Sequence, residues 1–478
     1  MHENILKNNK MQSNEELVVN GHKIEPGVDL SGLDFHDVNL HSANLQEANL
    51  TNANLTKDNL TMANLTGAYL NYSTLIEANL IRANLTDAYL IGANLTNANL
   101  TKANLNGSNL TGADLSGANL SHVTLKNVKS SKIFGTPISL PRYYKVLNSC
   151  IVGPRVDLTD ADLTGSNLGE VLLIGSNLTG ANLSCTNLSG ANLDCARLTG
   201  IKSGHIKGRP TKLPVHWKMY KGYLLGPGAN LTGAILRNAD LTSANLIWAN
   251  LNNANLVGAN FKNMNLTHID LSGADLNGAN LEGVNLTGAN LAGIKSGNIK
   301  GKPKILPKLW ILLNGYLIGP NVNLSFANLD GLDLSNAHLS GVRSCMIRGT
   351  PKKLPTYWQL KDGYLFNNPN KFQDVWLTCD LTNMWLYRAD LKHANLFRGK
   401  LNNSTLTCAN LVNADLREAN LKGAKLHGAN LSYAKLEHVI MDGTTKVSKD
   451  TQIKNAVISK NVEQYFKICA DYSQAVFV

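Results

Sequence analysis

The chain has 478 residues, of which 43% are hydrophobic and 6% aromatic, with a formal charge of +11. That is more length than one ordinary core accommodates, and its apolar surface suffices only if the core is built from Leu and small residues. No run approaches the ~18 apolar residues of a membrane span, and MHENILKNNKMQSNEEL at the start lacks the apolar stretch of a secretory signal. Seven cysteines, an odd number with wide spacings and no CxxC, predict free thiols rather than a disulfide framework or a zinc site. The expected location is cytoplasmic or otherwise intracellular. The N-L-T triplets such as Asn49-Leu50-Thr51 are a by-product of the repeat described next.

From residue 28 onward the chain repeats with a period of five. Leu recurs at Leu40, Leu45, Leu50 and Leu55, Ala usually stands two residues earlier, and Asn or Asp usually precedes the Leu. Five blocks keep this phase, centred on Leu30 to Leu125, Leu158 to Leu198, Leu231 to Leu291, Leu324 to Leu339 and Phe372 to Leu436. The last block slips once, with a four-residue step from Leu377 to Leu381. Period five is neither the 3.6 of a helix nor the 2 of a strand. Within a unit, Ala and Leu are two apart, so an extended backbone points both to one side and the remaining residues turn a corner. Repetition winds the chain into a solenoid with Ala and Leu inside and parallel backbone pairing ~4.8 Å apart. Val28, Leu33 and Val38 are larger inward residues, as a coil end requires, and Asp58 is an inward charge expected to bond nearby corner amides.

The stretch SNLTGADLSGANL, residues 108–120, resembles the pentapeptide-repeat family, whose pattern is A-(D/N)-L-x-x. The resemblance covers most of the chain. It implies an all-β fold, a right-handed quadrilateral parallel β-helix with four units per coil.

The interruptions are a second repeat. Leu125 to Leu158, Leu198 to Leu231, Leu291 to Leu324 and Leu339 to Phe372 each span 33 residues. They share G-(I/V)-(K/R)-S, I-x-G-x-P, L-P, an aromatic and G-Y-L. Asn314-Gly315 and Asp362-Gly363 between apolar runs predict β-hairpin inserts, and the earlier half, with Gly208, Pro210 and Pro214, reads as an extended connector. Residues 16–30 align with 310–324, so the first block is also led in by a hairpin; the first full insert has Asn148-Ser149-Cys150 instead, and the fourth ends in Asn367-Asn368. The predicted organisation is an N-terminal segment and hairpin at 1–27, repeat blocks at 28–127, 156–200, 229–293, 322–341 and 370–441, inserts at 128–155, 201–228, 294–321 and 342–369, and a tail at 442–478. In the tail, Ile453, Val457, Ile458, Val462, Tyr465, Phe466 and Cys469 predict an amphipathic helix that caps the solenoid end.

Charge divides between the parts. The inserts with their flanks hold 22 of the 45 basic residues and one of the 34 acidic ones, Asp362, so they carry +21 and the rest −10. Motifs for hydrolases, nucleotide binding or metal binding are missing, and a narrow packed tube is expected to lack a ligand-sized cavity. The chain therefore reads as a non-enzyme without cofactor, metal, small-molecule substrate or membrane partner: a structural or protein-interaction scaffold, whose partner is another protein or itself. Two alternatives stand beside it. One, implied by the resemblance, is a DNA mimic that binds a DNA-handling protein such as gyrase; it needs a strongly acidic rod, whereas the residue before Leu is mostly neutral Asn. The other is polyanion or nucleic-acid binding by the inserts. Candidate interaction residues are Lys202, Lys207, Arg209, Lys212, Trp217, Lys218, Lys221, Lys300, Lys302, Lys304, Trp310, Arg348, Lys352, Lys353 and Trp358. Ice binding is excluded, because the column Thr51, Asn71, Ile91, Thr111 is no threonine ladder.

Overall fold

The unit Asn49-Leu50-Thr51-Asn52-Ala53 shows why five residues close on themselves. Asn49 N–H donates to the Val28 carbonyl, while Leu50 and Asn52 N–H donate to the Tyr69 and Asn71 carbonyls. Ala53 N–H donates back to the Leu50 carbonyl at 3.0 Å, across a turn whose third residue, Asn52, has φ 59°, the signature of a type II turn. The remaining N–H, on Thr51, donates to the Asn49 side-chain oxygen at 3.1 Å. All five donors are satisfied, and the last one explains the Asn or Asp before each Leu. Asn side chains also bond along the stack, as Asn59 Nδ2 does to Asn39 Oδ1 at 3.0 Å.

The computed structural model describes residues 17–361, 363–366, 381–383, 386–389, 391–392, 394, 396–469 and 471–477, with backbone alone at 361, 364, 366 and 477. The expected start of the fifth block at Phe372, its step at 377, the turn residue Asp362 and Asn367-Asn368 lie outside the described residues. The chain divides into unit 1, Met1–Leu231 with Ala244–Asn250, and unit 2, Thr232–Ser243 with Leu251–Val478.

In unit 1, parallel bridges join residues twenty apart on successive sides of a coil: Asn39↔Asn59, Asn44↔Asn64, Asn49↔Tyr69 and Asn54↔Thr74. Four five-residue sides make one coil. Leu and Ala from these sides form one buried core between Ile24 and Leu224. The lead-in hairpin is β1 (Val18–Val19) with β2 (His22–Lys23), and two inserts add β3 (Lys145–Leu147) with β4 (Cys150–Val152) and β5 (Lys218–Tyr220) with β6 (Tyr223–Leu225), all antiparallel.

Unit 2 repeats the pattern, with bridges such as Asn255↔Asp275 and Asn410↔Asn430. Its hairpins are β7 (Ile311–Leu313) with β8 (Tyr316–Ile318) and β9 (Gln359–Lys361) with β10 (Tyr364–Phe366). At its C-terminal end β11 (Lys435–Leu436), β12 (Val457–Ile458) and β13 (Val476–Phe477) pair in parallel. The amphipathic helix expected over 453–469 is replaced by β12 and a short 3-10 helix at Lys460–Tyr465. The reason is local: Ile453, Ala456 and Ile458 are fully buried at the spacing of one more coil side, and the open edge of β11 takes up Val457, whose N–H bonds the Ala434 carbonyl. Val462, Phe466 and Cys469 then join the same core. The expectation of free thiols holds for Cys150, Cys185, Cys195, Cys408 and Cys469 but not for Cys345, which is buried and disulfide-bonded.

Asp58 occupies an inward position with no exposure. It bonds one amide only, Val38 N–H to Oδ1 at 2.8 Å, and Oδ2 has no partner. Burial pushes its pKa up to about 7, against the Val38 hydrogen bond and with added repulsion from Asp37 and Asp34. The unfolded carboxyl titrates near 3.8. Stability is therefore full below that pH, falls as pH rises toward 7, and stays reduced above it. A rise of that size corresponds to a loss of about 4 kcal/mol. Asp58→Asn, which keeps an acceptor for Val38, should be more stable than the parent at pH 8 and should flatten the decline between pH 4 and 7 in denaturant titrations.

Candidate functional site

The inserts begin as coil. Lys202, Lys207 and Lys212 bridge Asn182, Asn187 and Asn192 of the preceding coil, and Ile201 and Ile206 are buried where Ala stands elsewhere. This replaces the extended connector expected there. The next bridge on the Lys202 side is to Asn230, 28 residues on instead of 20. The hairpin is thus an excursion of eight residues within one coil, and the 33-residue interval is five coil sides plus those eight. That is why the repeat resumes in register.

Gly208 makes this turn possible. It has φ +69°, and a Cβ there would lie 2.7 Å from the Ser189 backbone; Gly135, Gly301 and Gly349 face the same contact in the other inserts.

Each hairpin is anchored by a serine that stands where Leu otherwise would. The hydroxyls of Ser130, Ser203, Ser296 and Ser344 accept the N–H of Ile151, Leu224, Leu317 and Leu365 at 2.9, 3.0, 3.0 and 2.9 Å. The side chains of these four second-strand residues are themselves buried. The turn carbonyls of Ser149, Gly222, Gly315 and Gly363 accept the N–H of Ile133, Ile206, Ile299 and Ile347. Sequence reasoning included this serine in the shared skeleton without giving it a role; its offset of five from the preceding Leu was the available signal.

The aromatics of the skeleton are used in packing. Trp217 lies against Gly226, Trp310 against Gly319 and Tyr144 against Gly153, so closely that a Cβ on each glycine would stand 2.1 to 2.3 Å from a ring atom. Trp358 is half-buried. Two of the candidate tryptophans therefore cover their own hairpins.

The basic candidates remain outside. Lys202, Lys207, Arg209, Lys212 and Lys221 are exposed and Lys218 is half-buried. Lys202, Lys207 and Lys212 stand on three successive sides of one coil, so they form a rim rather than one patch. Lys212 Nζ meets Asp194 at 3.1 Å. In unit 2, Lys300, Lys302, Lys304, Arg348, Lys352 and Lys353 are exposed. Coil acids feel these charges: hydrogen bonds from Ser335, aided by Lys353 and Lys352, hold Asp333 below the usual carboxylate range.

A groove of about 620 Å³ opens beside the unit 1 insert, lined by Trp217, Val215, Leu198, Arg197, Cys195 and Asp194 among others. The sequence expectation of no ligand-sized cavity does not extend to this outer surface, where Pro214, Val215 and Trp217 of the insert face Thr179 and Asp194 of the coil. Among the described residues no group of His, Cys, Asp or Glu could hold a metal ion, and no helix is long and apolar enough to cross a membrane.

Ser203→Ala leaves the Leu224 N–H without its acceptor and should destabilise unit 1 by about 1–3 kcal/mol. Ser203→Thr retains the hydroxyl and should lose less, which separates the hydrogen bond from side-chain volume. Denaturant titration of both variants measures the difference.

The pentapeptide repeats family matches in eight stretches, 27–56, 59–97, 88–127, 157–200, 228–256, 254–293, 321–343 and 404–443. No curated protein matches the chain. Among solved structures, HetL, a pentapeptide repeat protein involved in heterocyst differentiation regulation from the cyanobacterium Nostoc, is 27% identical over 56% of this chain and 87% of its own, with a TM-score of 0.23. A pentapeptide repeat protein of the Arabidopsis thaliana thylakoid lumen is 33% identical over 21% of this chain and 70% of its own, with a TM-score of 0.17. QnrB1, a plasmid-mediated fluoroquinolone resistance protein, is 14% identical over 56% of this chain and 91% of its own, also with a TM-score of 0.17. The eight matched stretches together span more than half of the chain, and the chain belongs to the pentapeptide repeat family.

Proposed function

We propose that this chain is a non-enzymatic scaffold that engages another protein through the outside of its coils, with the basic rims of the inserts as the contact elements. The observation that carries this reading is the division of labour within each insert. The second hairpin strand is spent on the interior, as Leu224 and Leu317 are, while Lys202, Lys207, Arg209, Lys300 and Lys302 stay exposed. A regular ladder then presents fixed charges at fixed steps, which suits extended protein contacts. In this reading the coils wind right-handedly, as the family implies, each block with its hairpin is one construction module, and the C-terminal strands with the 3-10 segment cap the last coil.

Polyanion binding is the second reading, favoured by the exposed basic rims. It is weakened by the tryptophans, each of which has one face committed to its own hairpin at Gly226 or Gly319, leaving less of the ring for stacking on bases.

The test is in-cell crosslinking with the intact chain and with a variant in which Lys202, Lys207, Arg209, Lys300, Lys302 and Lys304 are changed to Gln. Loss of a reproducible protein crosslink in the variant, with unchanged circular dichroism, is the expected result. A chain that crosslinks to nothing in either form contradicts the scaffold reading. Tight heparin binding with a steep salt dependence, and no protein crosslink, favours the polyanion reading.

A further inference from the structure

Building on the scaffold reading, we propose that one partner is a second copy of this chain, joined by the edge of unit 1 that carries Glu47 and Asp87 and the side of unit 2 that carries Lys295 and Arg343. The shared ladder makes these two surfaces commensurate.

On the acidic surface, positions 47, 67, 87 and 107 stack one per coil at a corner and read Glu, Gly, Asp, Gly. The Glu47 side chain lies over Gly67 and the Asp87 carboxylate over Gly107, where a Cβ would stand 3.2 Å from the first and 1.9 Å from the second. The bare glycines let both carboxylates lie along the corner. Both residues are exposed, and neither enters an ion pair among the described residues. The result is a pair of carboxylates two coil steps apart.

On the basic surface, Asn323 bridges both Lys295 and Arg343 in a single column, which continues past Lys295 to Asp275. They place two cations two coil steps apart with a neutral residue between. Both separations are set by parallel strand pairing at ~4.8 Å per step, so each is about 10 Å and both charge pairs meet at once. The flanks agree. Beside the acidic corner, the stacked pair Tyr69 and Tyr89 (centroids 5.0 Å apart, 4° between planes) is exposed, and Tyr72 lies over Gly92. Beside the basic column stand Lys300 and Arg348, cations suited to aromatic faces. The two surfaces are different, so the contact is heterologous and propagates or closes into a ring. Lys295 is half-buried with its ammonium 5.7 Å from the Phe326 ring centroid, and Arg343, Glu47 and Asp87 are exposed, so the ion pairs remain open to solvent and must weaken with salt.

The test is sedimentation velocity on the full chain. The parent should associate in a concentration-dependent way at low salt and dissociate in molar salt. Glu47→Lys with Asp87→Lys, and separately Lys295→Glu with Arg343→Glu, should each weaken self-association at least tenfold while keeping the parent circular dichroism. Arg343 also makes an interaction of its own, so Lys295→Glu alone is run beside the double variant and should weaken association in the same direction. An equimolar mixture of the two double variants should associate again in a one-to-one ratio, because the intact side of one meets the intact edge of the other and the two reversed surfaces are complementary in turn. A parent that stays monomeric at low salt, variants that associate like the parent, or a mixture that stays monomeric would each overturn the proposal. If the monomeric parent still crosslinks to a different protein in cells, only this inference falls; if it crosslinks to nothing, the scaffold reading falls as well.

Discussion

The structure depends on one constraint: every backbone N–H in a five-residue side must find an acceptor without a helix or a wide sheet. Three of the five bond neighbouring coils, one closes a turn, and one is taken by the Asn or Asp side chain before Leu, as at Asn49. The composition follows from this. Asn is frequent because it supplies the missing acceptor, and Ala because a tight corner leaves little space inside. Leu then fills what remains of the bore. The turn residues at positive φ point to solvent, so Lys, Glu, Arg and Trp appear there beside Gly although the left-handed backbone disfavours them.

The inserts obey the same constraint by other means. A hairpin strand that crosses the coil brings N–H groups with no neighbouring coil to receive them, and a serine hydroxyl at the centre position accepts one in all four copies. The insertion thus becomes part of the interior rather than an appendage. The interior absorbs second-strand residues such as Leu224 and Leu317, while the basic side chains stay outside beside exposed apolar ones such as Val215 and Tyr357. In unit 2 the two inserts lie one regular coil apart in phase, so that Lys295 and Arg343 share a column. In unit 1 the coil steps between inserts differ, and Lys129 and Lys202 fall in separate columns.

Local signals were legible in the sequence and replaced signals were not. The period of five and the inward Ala and Leu could be read directly, and so could the hairpin at Asn314-Gly315, because each rests on residues close together in the chain. The continuation of coil through Lys202, Lys207 and Lys212 was hidden because Ser203 and Gly208 stand where Leu marks the period; only Ile201 and Ile206 preserve it. The C-terminal tail misled for the opposite reason: Ile453 and Ile458 are five apart and fit a coil side, yet with Val457 and Val462 beside them they imitate a helical face. Asp58 could be placed inside, but the number of amides reaching it depends on the coil before it. Of the candidate interaction residues, the lysines and arginines are where charge patterning put them, on the surface, while Trp217 and Trp310 are half-buried against their own hairpins, where Gly226 and Gly319 make room for them.

If the hairpins are built into the coil stack through the buried serines, amide hydrogen exchange on the full chain will report it. The N–H groups of Ile151, Leu224 and Leu317 should exchange as slowly as coil amides such as that of Leu50. Exchange of these three at the rate of exposed loop amides, with the coil amides still protected, would show that the hairpins are appendages and not part of the stack.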